Sequence, residues 1–150
     1  IFSEHMFEHL KLTEAVKMLK ECRRVLKKNG VLRITLPCFE FLQDLYQHPE
    51  EYTDYIHKAT DSSIPEVNEI LPGVYPPILV INNFYRDWGH QVIYDYKTLE
   101  MLLHKYGFTN IKRCQLYESE HRFLTNMEKH DQATYKNLSK IESTVIEASC

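Results

Sequence analysis

Glu21-Cys22-Arg23-Arg24-Val25-Leu26-Lys27-Lys28-Asn29-Gly30-Val31-Leu32 is the stretch on which the fold turns. Ahead of and within it, Leu12, Ala15, Val16, Leu19, Cys22 and Leu26 recur at helical spacing and make one apolar stripe. The spacing predicts a helix over 12–28, with Thr13 as its N-cap. Lys27 and Lys28 crowd the last turn, where cations suit the helix dipole, and Asn29-Gly30 ends it. Val31 to Leu36 is then a β-branched run closed by Pro37, which reads as a strand buried on both faces. Helix, glycine turn and buried strand together make half of a βαβ unit, so the fold class is α/β.

On the N-terminal side, Ile1-Phe2 reads as the end of a buried strand, and a short helix is expected over 4–10. On the C-terminal side, Phe39 to Tyr46 reads as helical. The 40–90 region is expected to be an insertion or cap, partly helical and irregular, punctuated by Pro49, Pro65, Pro72, Pro76 and Pro77. Within it, Ile78 to Ile81 reads as a strand or a buried plug. Order returns at Asp95, an N-cap for a helix whose Leu99, Leu102, Leu103 and Tyr106 share a face, with Gly107 just past its end. Thr109 to Tyr117 and Glu142 to Ala148 read as strands, and 120–138 as polar and weakly helical.

At 150 residues the chain is long enough for one domain with a sizeable core. Its net charge of −3 comes with no basic stripe, which argues against nucleic acid as the main partner. No apolar run approaches the roughly 20 residues that span a bilayer, so no membrane association is expected. The N-terminus lacks a signal-peptide pattern, and the expected setting is cytoplasmic. Cys22, Cys38, Cys114 and Cys150 form no C-x-x-C pair and read as reduced thiols.

Four stretches resemble the C-terminal half of the class I S-adenosylmethionine-dependent methyltransferases, and in particular the small "predicted methyltransferase" enzymes of bacteria. Ile1 to Leu10 is similar to the end of the fourth strand and the Glu-His-Leu helix after it. Glu21 to Leu32 is similar to the E-x-x-R-V-L-K-P-G-G turn into the fifth strand, with Lys28-Asn29 where Pro-Gly is common. Gly89-His90 with Tyr94-Asp95 and Leu99 is similar to the entry of the next helix, and Leu103 to Ile111 to its exit. The resemblance implies a partial Rossmann-like mixed sheet, with strands near 31–37, 110–118 and 142–149 and the last inserted antiparallel between the other two. It also implies S-adenosylmethionine as cofactor. In such enzymes a Gly-rich loop cradles the cofactor. The four glycines here, at 30, 73, 89 and 107, form no such loop, so the cofactor-gripping half is expected to lie elsewhere in a longer protein.

The resemblance places Ser3, Glu4 and His5 just past the carboxyl end of the fourth strand, where ligands bind in open α/β sheets, and makes them the expected cofactor-binding residues. A helix cap is the alternative role for Ser3, and packing against the sheet the one for His9. Tyr85 to His90 is the most site-like loop. His90 is the expected general base on an acceptor hydroxyl or amine. Arg86, Trp88 and Tyr94 are the expected acceptor-binding residues, Arg86 through a carboxylate or phosphate. Pairing of Arg86 with Asp87 at the surface is the competing reading. Tyr46, Tyr52 and Tyr55 would line an acceptor pocket or form the apolar face of a cap helix.

His5-Met6-Phe7-Glu8-His9 also spells H-x-x-E-H, the inverted zinc-protease motif, which would need a third ligand such as Glu69 or Glu128. Glu118, Glu120, His121, Glu128 and His130 fit no standard metal spacing, so no metal ligands are assigned. The expected function is methyl transfer from S-adenosylmethionine to a small acceptor of unknown identity, as part of a longer protein. The alternatives are a non-catalytic half-domain or interaction module without cofactor binding, and, as a minor one, the zinc protease. With little left of the fourth strand, the 31–37 edge is expected to stand open, and copies are expected to join into a homo-oligomer with that edge or the 1–10 segment at the contact.

Overall fold

The computed structural model describes residues 1–130 and 139–150. Four strands form a mixed sheet in the order β1–β2–β4–β3: β1 (Phe2–Glu4), β2 (Val31–Pro37), β3 (Thr109–Cys114) and β4 (Ser143–Ser149). β4 lies antiparallel between β2 and β3, with Ile146 opposite Ile34, as the resemblance implies for the last strand. β3 ends at Cys114, earlier than expected, and its register with β4 shifts between Thr109 and Lys112.

The sheet has one strand more than expected. β1 runs parallel to β2, with Ser3 opposite Ile34, so Ser3 and Glu4 are strand residues rather than the loop beyond it. The Ile1 amino group donates to Val31 O at 2.8 Å, and His5 N to Thr35 O at 2.9 Å. These bonds cover the edge of β2 that was expected to stand open; the sheet ends at β1 on this side.

Around the deciding stretch, α1 (Leu12–Val25) ends at Val25, short of the expected end at 28. The cap at its start is Glu14, not Thr13: its carboxylate accepts from Lys11 N at 3.0 Å. Asn29 takes the left-handed φ of 64° that the turn requires. Gly30 is needed for a different reason, because a Cβ there would lie 2.8 Å from Lys27 O. Further on, α6 (Tyr96–Lys105) starts on Asp95, whose carboxylate accepts from Thr98 N at 2.8 Å.

Alternation along β2 sends Leu32, Ile34 and Leu36 to one face, where Ile146 and Ala148 of β4 join them. α1 and α6 cover this face with Ala15, Leu19, Leu99 and Leu103, and Phe7, Tyr94 and Phe108 complete the core. Each of the large aliphatic side chains here contributes about 1.5–3 kcal/mol by its burial.

The other face is buried too, but by charge. Arg33 is wholly inaccessible. Its Nε donates to Glu128 Oε1 at 2.6 Å and its Nη1 to Glu147 Oε1 at 2.6 Å. Its remaining N–H groups reach Glu118 O at 2.9 Å and Gln115 O at 3.1 Å. Thr35 Oγ1 and Tyr117 N also donate to the Glu128 carboxylate. The segment 115–128 is thereby fastened across β2 and β4.

Between β2 and α6 the chain makes a helical unit: α2 (Phe39–Gln47), α3 (Thr53–Ser63), α4 (Glu66–Ile70) and α5 (Pro77–Arg86). The stretch expected to be partly helical and irregular is mostly helical, and Ile78 to Ile81 lies in α5 rather than in a strand. Phe41, Leu42, Leu45, Tyr55, Ile56, Val80 and Phe84 give the unit its own apolar cluster. Its two ends meet where Cys38 bridges to Tyr94 and Phe39 N donates to Tyr94 O at 2.9 Å. Of the polar stretch 120–138, residues 121–129 are turns and loop, and 131–138 lie outside the described residues.

Arg33→Met leaves Glu128 and Glu147 as buried, uncompensated carboxylates. The expected loss is about 3–5 kcal/mol in urea unfolding, whereas replacing all three residues with apolar side chains of like volume costs much less. Equal losses in the two variants would mean that the guanidinium acts by packing alone.

Candidate functional site

A cavity of about 570 Å³ opens at the carboxyl ends of the parallel strands β1 and β2, between the sheet and the helical unit. Glu4, His5 and Pro37 form its floor at the strand ends. Tyr55, Ala59, Phe84 and Trp88 give it an apolar wall from the helical unit. His9 and His90 line one side, and Lys129, His130 and Glu142 the other. A cleft of this size, mainly apolar with a few converging polar groups, suits one small-molecule ligand.

The polar side begins with backbone geometry. β1 runs out into His5, which holds a left-handed φ of 43°. Such a conformation costs a non-glycine residue energy and marks a place where the surroundings dictate the backbone. The chain then makes a single 3₁₀ turn, Phe7–His9, which sinks Phe7 and Glu8 and leaves His9 partly exposed. The Glu8 carbonyl accepts from Gln91 N at 2.8 Å and Val92 N at 3.1 Å, which ties this turn to the loop after α5. In that loop Trp88 and Gly89 both take left-handed φ, 57° and 80°, and the reversal brings the His90 ring to 4.9 Å from the His9 ring.

Each group is held in a definite state. His90 Nδ1 lies 2.7 Å from Phe84 O, so this nitrogen carries the proton and Nε2 keeps its lone pair. Burial holds the His90 imidazole below its usual pKa, which favours the neutral ring. Glu8 is fully buried, and neither carboxylate oxygen accepts a hydrogen bond among the described residues. His5 Nδ1 stands 3.6 Å and His9 Nε2 3.8 Å from Glu8 Oε1. Burial above all raises the Glu8 carboxyl to about 7, with Glu142 adding to the rise. Across the cavity, His5 Nε2 shares a 3.1 Å hydrogen bond with Ser143 Oγ, and its ring stacks on His130 at 3.9 Å. Tyr55 donates to Glu142 Oε2 at 2.7 Å, and burial followed by that carboxylate holds its phenol well above the usual value.

The structure brings together Glu4, His5, Trp88 and His90 of the residues expected from the sequence. It sets three others apart from the cavity. Ser3 is buried in the sheet, and among the described residues its hydroxyl has no hydrogen-bond partner. Arg86 is exposed at the end of α5 and does not line the cavity. Tyr94 sits in the apolar core against Phe7, and burial raises its phenol to about 12. Tyr55 is the tyrosine that reaches the cavity, while Tyr46 is largely exposed. Glu4 lines the floor, but its carboxylate already accepts from Lys129 N and His130 N at 2.9–3.0 Å. Glu8, His130 and Glu142 are additions. Glu8 stood in the sequence within H-x-x-E-H, but that reading supposed a helix. With only a 3₁₀ turn at Phe7–His9 and His5 outside it, the two imidazoles are not one α-helical turn apart, and the inverted zinc-protease arrangement is not formed.

A family profile described as "Methyltransferase domain" matches residues 1–34. The crystal structure of a SAM dependent methyltransferase from Archaeoglobus fulgidus superposes with a TM-score of 0.50 at 16% identity, covering 99% of this chain and 57% of that one. The small RNA methyltransferase HEN1 superposes with a TM-score of 0.48 at 10% identity, covering 99% of this chain and 13% of that one. No curated protein sequence matches the chain. In fold, then, the chain is similar to a SAM dependent methyltransferase, and it spans 57% of the length of the archaeal enzyme.

Glu8 gives the site a stability signature. A carboxyl with a raised folded pKa stabilises the fold fully below its unfolded value, and that stability is lost as pH rises through the folded value. For Glu8 the window runs from 4.5 to about 7. Glu8→Gln, which cannot ionise, should become more stable relative to the native chain as pH rises through this window. Parallel stability curves for the two proteins would show that Glu8 carries no such shift.

Proposed function

We propose that this chain supplies the acceptor-binding part of an S-adenosylmethionine-dependent methyltransferase, working within a longer protein on a small acceptor. The observation that carries the reading is the cavity at the ends of β1 and β2, where four imidazoles face an aromatic wall. Open α/β sheets bind their ligands at this rim. Among the described residues no helix is long and apolar enough to cross a membrane. The four cysteines are free thiols, which accords with a cytoplasmic setting.

Ser3, Glu4 and His5 do not make a cradle for S-adenosylmethionine by themselves. The Ser3 hydroxyl is buried away from the cavity, and the Glu4 oxygens are taken by backbone N–H groups. What these residues and their neighbours do make is the wall that an acceptor meets. An acceptor hydroxyl or amine must shed a proton when it gains a methyl group. His90, neutral and oriented by Phe84 O, and Glu8, poised to change charge near pH 7, set the proton balance there. Trp88, Phe84 and Tyr55 would hold an apolar or planar body against the roof. Self-association remains part of the proposal, with β1 rather than β2 as the sheet edge that would pair.

The test is methyl transfer by the complete protein, from labelled S-adenosylmethionine to a panel of small hydroxyl and amine acceptors. Turnover is expected, and His90→Ala should lower kcat/KM about 10²–10⁴-fold without loss of fold. A complete protein that neither binds the cofactor in calorimetry nor transfers methyl would overturn the reading in favour of a non-catalytic interaction module. For self-association, sedimentation at several concentrations should show a species larger than the monomer; a monomer throughout removes that part.

A further inference from the structure

Glu8 is the least explained group in the molecule. Its side chain is wholly buried, and both its oxygens lack a hydrogen-bond partner among the described residues. A buried carboxylate in that state is costly unless something compensates it. The groups around it are imidazoles at the wrong distance for hydrogen bonds and the right distance for something else. His9 Nε2 stands 3.8 Å from Glu8 Oε1, and one ligand atom from each of Glu8, His9 and His90 falls within 4.8 Å of the others. Two donor atoms each about 2.1 Å from one ion, at a tetrahedral angle, lie roughly 3.4 Å apart.

We propose that Glu8, His9 and His90 bind a divalent first-row transition-metal cation, with zinc as the leading candidate. Two imidazoles and one carboxylate are borderline donors suited to such ions. His90 is already set up as a ligand: Nδ1 donates to Phe84 O at 2.7 Å, which fixes the ring and frees the Nε2 lone pair. The same outer hydrogen bond recurs wherever imidazoles hold metals. Backbone ties make the set rigid, since Glu8 O receives both Gln91 N and Val92 N, directly beside His90. Gly89 supplies the left-handed φ of 80° by which the loop turns His90 back toward His9. Three protein ligands leave at least one position of the ion facing the cavity, as in catalytic rather than structural sites.

The proposal deepens the functional reading in one respect and rests on it only there. An acceptor hydroxyl or carboxylate seated on the open position would be oriented by the ion; a bound hydroxyl would lose its proton to solvent water in the cavity, and its oxygen would take the methyl group from the sulfonium, which leaves as the thioether. His90 would then act through the ion and not as the base itself. The preferred acceptor class is accordingly one with an oxygen donor, such as a vicinal diol or a hydroxy acid.

The chain stripped of metal by a chelator should take up one equivalent of Zn²⁺ in calorimetry and show the visible absorption of low-symmetry Co²⁺ when cobalt is added instead. His9→Ala with His90→Ala should weaken uptake at least about 100-fold, since even outer partners of metal ligands are worth 10–100-fold. Glu8→Gln, which keeps the shape of the side chain, should also weaken it, and His104→Ala on the exposed face of α6 should not. Zn²⁺ should raise the melting temperature of the native chain, and that rise should vanish in the Glu8 and histidine variants. No uptake by the native chain, or uptake that survives the double variant, overturns the proposal; the second result would move the ion to another group, such as His5, His130 and Glu142. Failure of methyl transfer in the complete protein would sink the functional reading and leave these titrations standing.

Discussion

The far wall of the cavity depends on the burial of Arg33. A guanidinium in the middle of a sheet is tolerated only when each of its N–H groups is met and its charge is balanced. Here two carboxylates and two carbonyls meet it. The balancing residues come from β4 and from a segment 95 positions along the chain, so one side chain decides where the 115–128 stretch must lie. That stretch continues into Lys129 and His130, whose backbone N–H groups close on the Glu4 carboxylate at the end of β1. The far wall of the cavity is therefore fixed by charge on one face of the sheet, while α1 and α6 are fixed by apolar packing on the other.

The near wall has a different origin. Two stretches some 80 residues apart, the turn after β1 and the loop after α5, are pressed together by backbone hydrogen bonds at Glu8. The bridge between Cys38 and Tyr94 clamps the base of the helical unit at the same level. Left-handed residues at His5, Trp88 and Gly89 let both stretches reverse sharply enough for three imidazoles to converge. His5 and Trp88 thus place part of the chain's conformational cost at the rim where a ligand would bind, while Asn29, Asn110, Tyr117 and Asn126 carry the same kind of cost elsewhere. The same rim holds the unbonded Glu8 carboxyl, a second local cost that the bare chain bears.

How much of this was legible in the sequence follows from the range of the forces involved. The α1 stripe, the Asn29-Gly30 turn and the Asp95 cap are local, and local patterns place them to within a turn. β4 was found as a strand and, through the family resemblance, in its inserted place. The cap was legible as partly helical, but not how much of it is helix, because its prolines read as breaks. Pro49 and Pro77 instead open helical turns, a position where a missing N–H costs nothing. Ile78 to Ile81 was ambiguous because so short an apolar run has no period to distinguish helix from strand. Arg33 looked like one charge in an apolar strand, since its partners are 95 and 114 residues away. For the site, His5, Trp88 and His90 could be suspected from their types and their loops. Glu8 could not, because its significance lies in being buried without a partner, and burial of that kind is a property of the assembled rim.

In the function proposed above, the His5, His9 and His90 rim is the wall an acceptor would meet. The most direct measurement is a crystal structure of the complete protein with S-adenosylhomocysteine bound. The account predicts that the cofactor sulfur points into the cavity toward His9 and His90, leaving room between them for an acceptor under Trp88 and Tyr55. A cofactor lying on another face of the sheet, or one whose sulfur turns away from these imidazoles, would contradict it.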